Sequence, residues 1–492
     1  MNVDRKSGLR WIVMFGATLI VSLPLNVSVL AQTATTQEPA KPTQEPAKPT
    51  SEVEQLKQRL QQLEQVVSDL KGQITAIEDA KAKTPAPAAV IDATYTTTPT
   101  TTPPAEPPPA KQQDSGKGES TFTIYGFAML DAGYQFKQNH PDWFDVIRPT
   151  KLPAFPNEFA PNGKTYFGVR QSRLGVKSTT PTKYGELKTQ FEFELFGTGV
   201  DAGQTTFRLR HAYGELGQFG AGQTWSPFMD IDVFPNSLEY WGPNGMVFFR
   251  NLQFRWMPLK GRNSVTLAIE RPGASGDQGV FADRIELQGI RPKFDLPDFS
   301  GNVRFTRDWG YFQAAGMIRR IKWVDTTVDQ FDLGGSEVGA GLNLTSNLKF
   351  TPNDTGRFAF VFGQGIQNYM NDAPVDVGIE LTPGGDPRRP IKGVALPMWS
   401  LVAFLDHNWN KRFSTAVGYS FMDIDNSNGQ APDAYHRGHY GLANLLFYPV
   451  ENVMLGGEFQ WGRRENFLDG FKSDDFRIQF SFKYNFSKTL TF

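Results

Sequence analysis

The chain has 492 residues, more than one ordinary soluble domain needs, and its 50 Lys and Arg against 51 Asp and Glu point to no nucleic acid or other polyanion partner. It has no cysteine, which excludes disulfides, thiolate metal sites and cysteine nucleophiles. Beyond the N-terminus no apolar run is long enough for a spanning helix, so a membrane-embedded form must be a closed β-barrel.

Arg5, Lys6 and Arg10 precede the apolar stretch Trp11 to Leu23, and Val29-Leu30-Ala31 offers small residues for cleavage. Residues 1–31 therefore read as a secretory signal peptide; the apolar core is short for the alternative, a membrane anchor. Residues 32–50 carry two copies of Gln-Glu-Pro-Ala-Lys-Pro-Thr and read as an extended, semi-rigid linker. Over 51–83 the residues Val53, Leu56, Leu60, Leu63, Val67, Leu70, Ile74 and Ile77 alternate spacings of three and four, the seam of a self-associating coiled coil. Ser51 and Glu54 make a capping box at its start. Residues 84–120, rich in Pro, Thr and Ala, read as a second linker.

From Thr121 the pattern changes to segments that alternate apolar and polar at period two. In the last of them Phe476, Ile478, Phe480, Phe482, Tyr484 and Phe486 face one way, and Asp475, Arg477, Gln479, Ser481, Lys483 and Asn485 the other. An aromatic-rich apolar face backed by a polar one fits a strand between lipid and a wet lumen better than a soluble β-sandwich. Sixteen such segments run from 121–136 to 475–486, with short turns and long loops in alternation. The predicted fold over 121–492 is an all-β transmembrane barrel of about sixteen antiparallel strands. The short turns belong on the periplasmic side, and with them the coiled coil.

One long aperiodic stretch, 226–246, follows the fifth strand, and its aromatics and prolines argue against disorder. It is predicted to fold into the barrel and narrow it, with Trp225, Asp230, Asp232, Glu239 and Tyr240 at the constriction. Strand parity supplies the opposing charge. Arg173 and Lys177 lie opposite Leu174 and Val176, Arg208 and Arg210 opposite Phe207, Leu209 and Tyr213, and Arg255 opposite Phe254 and Trp256. By the same reasoning Arg304, Arg320, Lys322 and Arg477 are lumen candidates, because arginine facing lipid at mid-depth costs about 2–4 kcal/mol. Two readings of these arginines stay open: an anion-attracting ladder, or partners of Asp230, Asp232, Glu186, Glu192 and Glu194 that merely hold the loop. Arg170 has the parity of Leu174 and Val176, which leaves an outer rim, a subunit interface or a bulge. Trp225, Trp241 and Trp256 read as interfacial anchors or as a sugar-stacking track. No cofactor or metal site is indicated, since His436 and His439 have no third ligand at a sensible spacing, and Ser and His are too scattered to nominate a catalytic set.

Gln171 to Lys177 resembles the second strand of trimeric bacterial porins, Gly222 to Phe228 sits where their constriction loop begins, and the chain ends on Phe492 like other outer-membrane proteins. With an exported coiled coil ahead of a sixteen-strand barrel, residues 51–492 resemble the DcaP-like outer-membrane porins. The resemblance implies a homotrimer in the outer membrane of a Gram-negative bacterium, in contact with lipid and lipopolysaccharide. It further implies passive uptake of small anionic organic solutes such as dicarboxylates. Sugar- or phosphate-selective porins share the layout. A structural envelope protein that tethers the barrel to peptidoglycan through residues 37–80 is the alternative from another class.

Overall fold

The structure is a computed structural model and describes residues 118–382 and 385–492. The expected signal peptide, proline-rich linker and coiled coil lie outside the described residues, as does most of the second linker. Twenty strands follow in chain order: β1 (Thr121–Gln135), β2 (Lys164–Gly168), β3 (Arg173–Thr182), β4 (Gly185–Phe196), β5 (Thr205–Leu216), β6 (Phe219–Trp225), β7 (Arg250–Leu259), β8 (Ser264–Glu270), β9 (Ile290–Pro292), β10 (Asp298–Arg307), β11 (Gly310–Asp325), β12 (Gly335–Lys349), β13 (Asp354–Gln364), β14 (Val377–Leu381), β15 (Ile391–Ala395), β16 (Pro397–Asn408), β17 (Phe413–Ile424), β18 (Tyr435–Phe447), β19 (Val453–Asn466) and β20 (Lys472–Thr491). Neighbours pair antiparallel, and β1 closes on β20 from Thr121↔Thr491 to Gln135↔Arg477. β2 and β3 are two halves of one wall position, β9 caps the top of β11, and β14–β15 is a separate hairpin, so the ring has sixteen positions as expected. Closure satisfies every edge, which a strand in lipid requires.

The alternation is realised as a lipid face and an inner face. Phe480, Phe482, Tyr484 and Phe486 of β20 are exposed on the outside, whereas Asp475, Arg477, Gln479 and Ser481 are buried within. Turns of two to five residues join strands at the end that holds both Thr121 and Thr491, and the long loops all lie at the other end.

Among the register shifts of the wall, two account for residues whose parity misleads. Asp131 pairs with Gly168 and Phe127 with Arg173, so three residues of β1 face four of the partner, 169–172. The extra residue lets Arg170 turn inward: it is buried, donates to Asp145 at 2.6 Å and lies 3.9 Å over the Phe196 ring. The bulge is thus the resolution of its parity. The second falls where Glu192 pairs with His211 but Phe193 with Leu209. Arg210 and His211 both turn inward there, and Tyr213 follows, placing its ring 5.1 Å from the Arg255 guanidinium. The alternation alone had put His211 and Tyr213 on the lipid face.

Opposite that second bulge Gly222 pairs with Tyr213 at φ +122°, and a Cβ there would stand 2.1 Å from the Ala212 carbonyl oxygen. The obstacle is backbone, which cannot swing aside. Gly222→Ala is therefore expected to cost at least about 1–3 kcal/mol. Denaturant unfolding of the barrel in lipid measures it; an unchanged midpoint would contradict this account of the turn.

Candidate functional site

The segment between β6 and β7, residues 226–249, runs around the inside of the barrel. Its first part meets the far wall by hydrogen bonds. Asn302 and Asn343 donate to the carbonyls of Pro227 and Phe228, both at 2.8 Å, and Asp230 accepts from Tyr311 (2.7 Å), Thr345 (2.6 Å) and Arg304 (2.6 Å). Asp232 also binds Arg304. Its middle reaches β18 and β19, where Asn444 donates to the Asn236 carbonyl at 2.8 Å and Glu458 accepts from the backbone of Leu238 (2.7 Å) and Glu239 (3.0 Å). The return leg is pinned at Gly245, which donates to Ser420 at 2.9 Å and accepts from Ser400 at 2.7 Å. A Cβ at Gly245 would come within 2.6 Å of the Phe421 carbonyl, so only glycine allows the loop this close to the wall.

Apolar packing seals the same side. Phe228, Met229, Val233, Met246 and Val247 of the loop bury against Ala315, Met317, Val361, Val402, Phe404 and Leu442 of the wall.

On the opposite side the wall carries charge. Arg210 of β5 donates to Glu192 at 2.5 Å and to Glu194 at 2.6 Å. Arg173 of β3 lies 3.5 Å from both carboxylates, Arg208 lies 3.4 Å and Arg250 3.7 Å from Glu194. Tyr125 donates to Glu192 at 2.8 Å, and Tyr240 is the loop's contribution, through its hydroxyl to Glu194. Arg210 and Arg250 stand 5.3 Å and 4.8 Å from the Trp225 ring. Four guanidiniums thus surround two carboxylates, leaving two positive charges uncompensated within the cluster. Arg250 Nη1 is a buried N–H group with no hydrogen-bond acceptor among the described residues, and Arg173 Nε has the Glu192 carboxylate at 3.5 Å without a formed hydrogen bond. Arg255 adds a fifth cation, held by Gln253 at 3.0 Å, with no carboxylate within 4.0 Å among the described residues.

The sequence pattern of the DcaP outer membrane protein family matches residues 116–486. The chain belongs to that family. The solved outer membrane channel DcaP of Acinetobacter baumannii superposes with a TM-score of 0.62 at 19% identity, over 75% of this chain and 99% of that one. An anion-selective porin from Comamonas acidovorans (TM-score 0.47, 12% identity, 75% and 100% covered) and OprB of Pseudomonas putida (0.45, 7%, 74% and 94%) are too remote to bear on function. No curated protein matches the sequence significantly. The chain is thus a porin-like channel of the outer membrane.

In this DcaP-family barrel the predicted residues divide into three groups. Arg173, Arg208 and Arg210 come together, with Arg255 nearby, but they face Glu192 and Glu194 of their own wall rather than the loop acids. Asp230 and Asp232 face Arg304 on the far wall instead. Glu239 accepts from Ile147 N (3.0 Å) and Tyr440 (3.1 Å), 3.7 Å from the buried Arg477. On this loop, off the spanning strands, burial pushes the Glu239 carboxyl up to about 7 against the pull of Arg477, which lessens its negative charge near neutrality.

Arg320 is a correction. β11 turns Tyr311, Gln313, Ala315, Met317, Arg319 and Ile321 inward and Phe312 and Ile318 to the lipid, so Arg320 and Lys322 point outside. The inward cation is Arg319, 3.3 Å from both Asp298 and Asp376. Nor do the tryptophans form one track: Trp225 lies in the arginine cluster, Trp241 packs on Trp143 and Arg148, and Trp256 faces lipid. Arg250 escaped the sequence reading because it sits at the loop–strand junction, where parity carries no information.

The arginines are not equivalent. Arg210 is 4% exposed and bonded to two buried acids, whereas Arg173 and Arg208 keep about a quarter of their side chains open. Arg210→Ala strands buried carboxylates and is expected to destabilise the barrel by about 3–5 kcal/mol; Arg208→Ala is expected to cost under about 1 kcal/mol. Paired unfolding curves in the same lipid test this, and equal losses would contradict the division.

Proposed function

We propose that this DcaP-family porin passes small hydrophilic organic anions, dicarboxylates among them, beside the arginine cluster of β3, β4, β5 and β7. The observation that carries the reading is the excess of four guanidiniums over two carboxylates, with Arg173 and Arg208 each keeping about a quarter of the side chain exposed. A guanidinium fork matches a carboxylate bidentately, and the two glutamates moderate the field so that a bound anion can leave. Because the loop packs against the wall from β10 to β19, the space beside Arg173, Arg208 and Arg255 is the part left for solute.

Trimeric assembly belongs to the same proposal, with the heptads of 51–83 supporting self-association from the periplasmic side. Deleting 51–80 is expected to lower the yield of heat-resistant trimer; an unchanged yield would leave those heptads without this role.

Reversal potentials across planar bilayers in a salt gradient test selectivity. The parent is expected to prefer anions and to conduct in steps of three. Replacing Arg173 and Arg208 together with Ala removes two charges that are each worth about 1 kcal/mol at the passage, so the anion-to-cation permeability ratio is expected to fall several-fold. A cation-preferring parent, or an unchanged ratio in the double variant, would defeat the proposal. Liposome swelling with dicarboxylates against neutral sugars separates the anion reading from a sugar channel.

A further inference from the structure

The two cations that the alternation misplaced head an unusual patch on the outside of the barrel. Along the outward face of β11, Arg320 follows directly on Ile318, one two-residue step of about 7 Å above the lipid-facing belt. Lys322 comes next. β9 pairs with this part of β11 through Val324↔Arg291 and Trp323↔Pro292, so Arg291 shares the outward side of Val324. One step along the same register Lys293 lies across from Lys322 and donates its backbone N–H to the Lys322 carbonyl at 2.9 Å. Like charges directly across an antiparallel pair are mutually destabilising. Among the described residues Asp295 is the acid that answers these four cations, 2.7 Å from Lys322 and 3.7 Å from Arg320.

A comparison within the same barrel sharpens the point. On the outward long-loop ends of β17 to β20, three cations meet three acids: Arg437 with Asp423, Arg463 with Asp474 at 2.8 Å, and Lys472 with Glu465 at 3.1 Å. There each of these cations has its own acid, with Lys137 beside them over the Phe476 ring, whereas on β9 and β11 four cations share one.

Below the patch the outer wall is grooved. Gly301 pairs with Gly316 and Val303 with Ala314, so small residues floor a trough of about 460 Å³ between Leu267, Phe299 and Ile318. The trough leads down β11 from the position of Ile318, immediately beneath Arg320.

We propose that this face holds a phosphorylated glycolipid of the outer leaflet, with a lipid phosphate on Arg320, Lys322, Lys293 and Arg291 and an acyl chain in the trough. The charge excess supplies what a divalent phosphate group needs, its height at the edge of the apolar belt is that of a headgroup, and the trough continues it into the hydrocarbon. A free anion would gain nothing from the trough.

The test uses the full chain, folded, in phosphatidylcholine nanodiscs containing lipopolysaccharide with its lipid phosphates intact or enzymatically removed. Lipopolysaccharide retained per barrel after gel filtration in detergent is the readout. The parent is expected to retain the phosphorylated form about tenfold better than the dephosphorylated form. The double variant Lys293→Gln, Lys322→Gln loses about the same factor, while Arg437→Gln, Arg463→Gln in the ion-paired belt does not. Gly316→Leu fills the trough, where a Cβ meets nothing nearer than the Gly341 carbonyl at 3.8 Å, and is expected to lower retention with the patch intact. Equal retention of both lipid forms by the parent, or full retention by the lysine variant, overturns the proposal. So does saturable binding of inorganic phosphate by the lysines without preference for lipid. Should the lysine variant fail to fold, the phosphate-removal arm on the unsubstituted protein decides alone.

Discussion

The interior of this barrel depends on one constraint: a folded loop must be held against a wall with partners for its buried backbone groups. The 226–249 segment meets it with wall side chains rather than with secondary structure of its own. Asn302, Asn343 and Asn444 supply donors for its carbonyls, Glu458 accepts two of its N–H groups, and Asp230 is surrounded by Arg304, Tyr311 and Thr345. These partners sit on five strands, β10, β11, β12, β18 and β19, so the loop cannot move off one without losing others. Across the barrel from that packing lie the arginines of β3, β5 and β7, which the loop meets through Tyr240 on Glu194.

That same packing explains where alternation in the sequence was a reliable guide and where it was not. On β20 the lumen side is polar and the lipid side aromatic, so Arg477 and Gln479 were legible as inward residues. β11 is different. Its inner face carries Ala315 and Met317, which the loop covers, and Ile321 beside Gly365, while its outer face carries Phe312 and Ile318. Both faces are apolar, period two loses its contrast, and Arg319 and Arg320 exchange places in the reading. Arg170 and His211 needed a different fact, namely bulges that change register by one residue. Sixteen wall positions were countable because turns and loops alternate in length, which bulges leave untouched. The loop's inward course was legible as a long ordered segment, but the partners of its acids were not, since they depend on which strands it reaches.

The arrangement of charge shows why acids belong among these arginines. Four bare guanidiniums within a few ångströms would repel one another and swing apart into whatever water is available. Glu192 and Glu194, two residues apart on β4 and so on one face, draw Arg173, Arg208, Arg210 and Arg250 to a common point. Arg210 is consumed by this task, with both acids bonded and little surface left. Arg173 and Arg208 are only loosely engaged, at 3.4 to 3.5 Å, and keep surface toward the space beside the loop. The glutamates therefore act as the frame that fixes the other guanidiniums in place before any solute arrives, so less ordering entropy is lost on contact. Removing the frame would not simply make the site more positive. It would trade a fixed field for a mobile one, since guanidiniums freed of their acids could each take several positions.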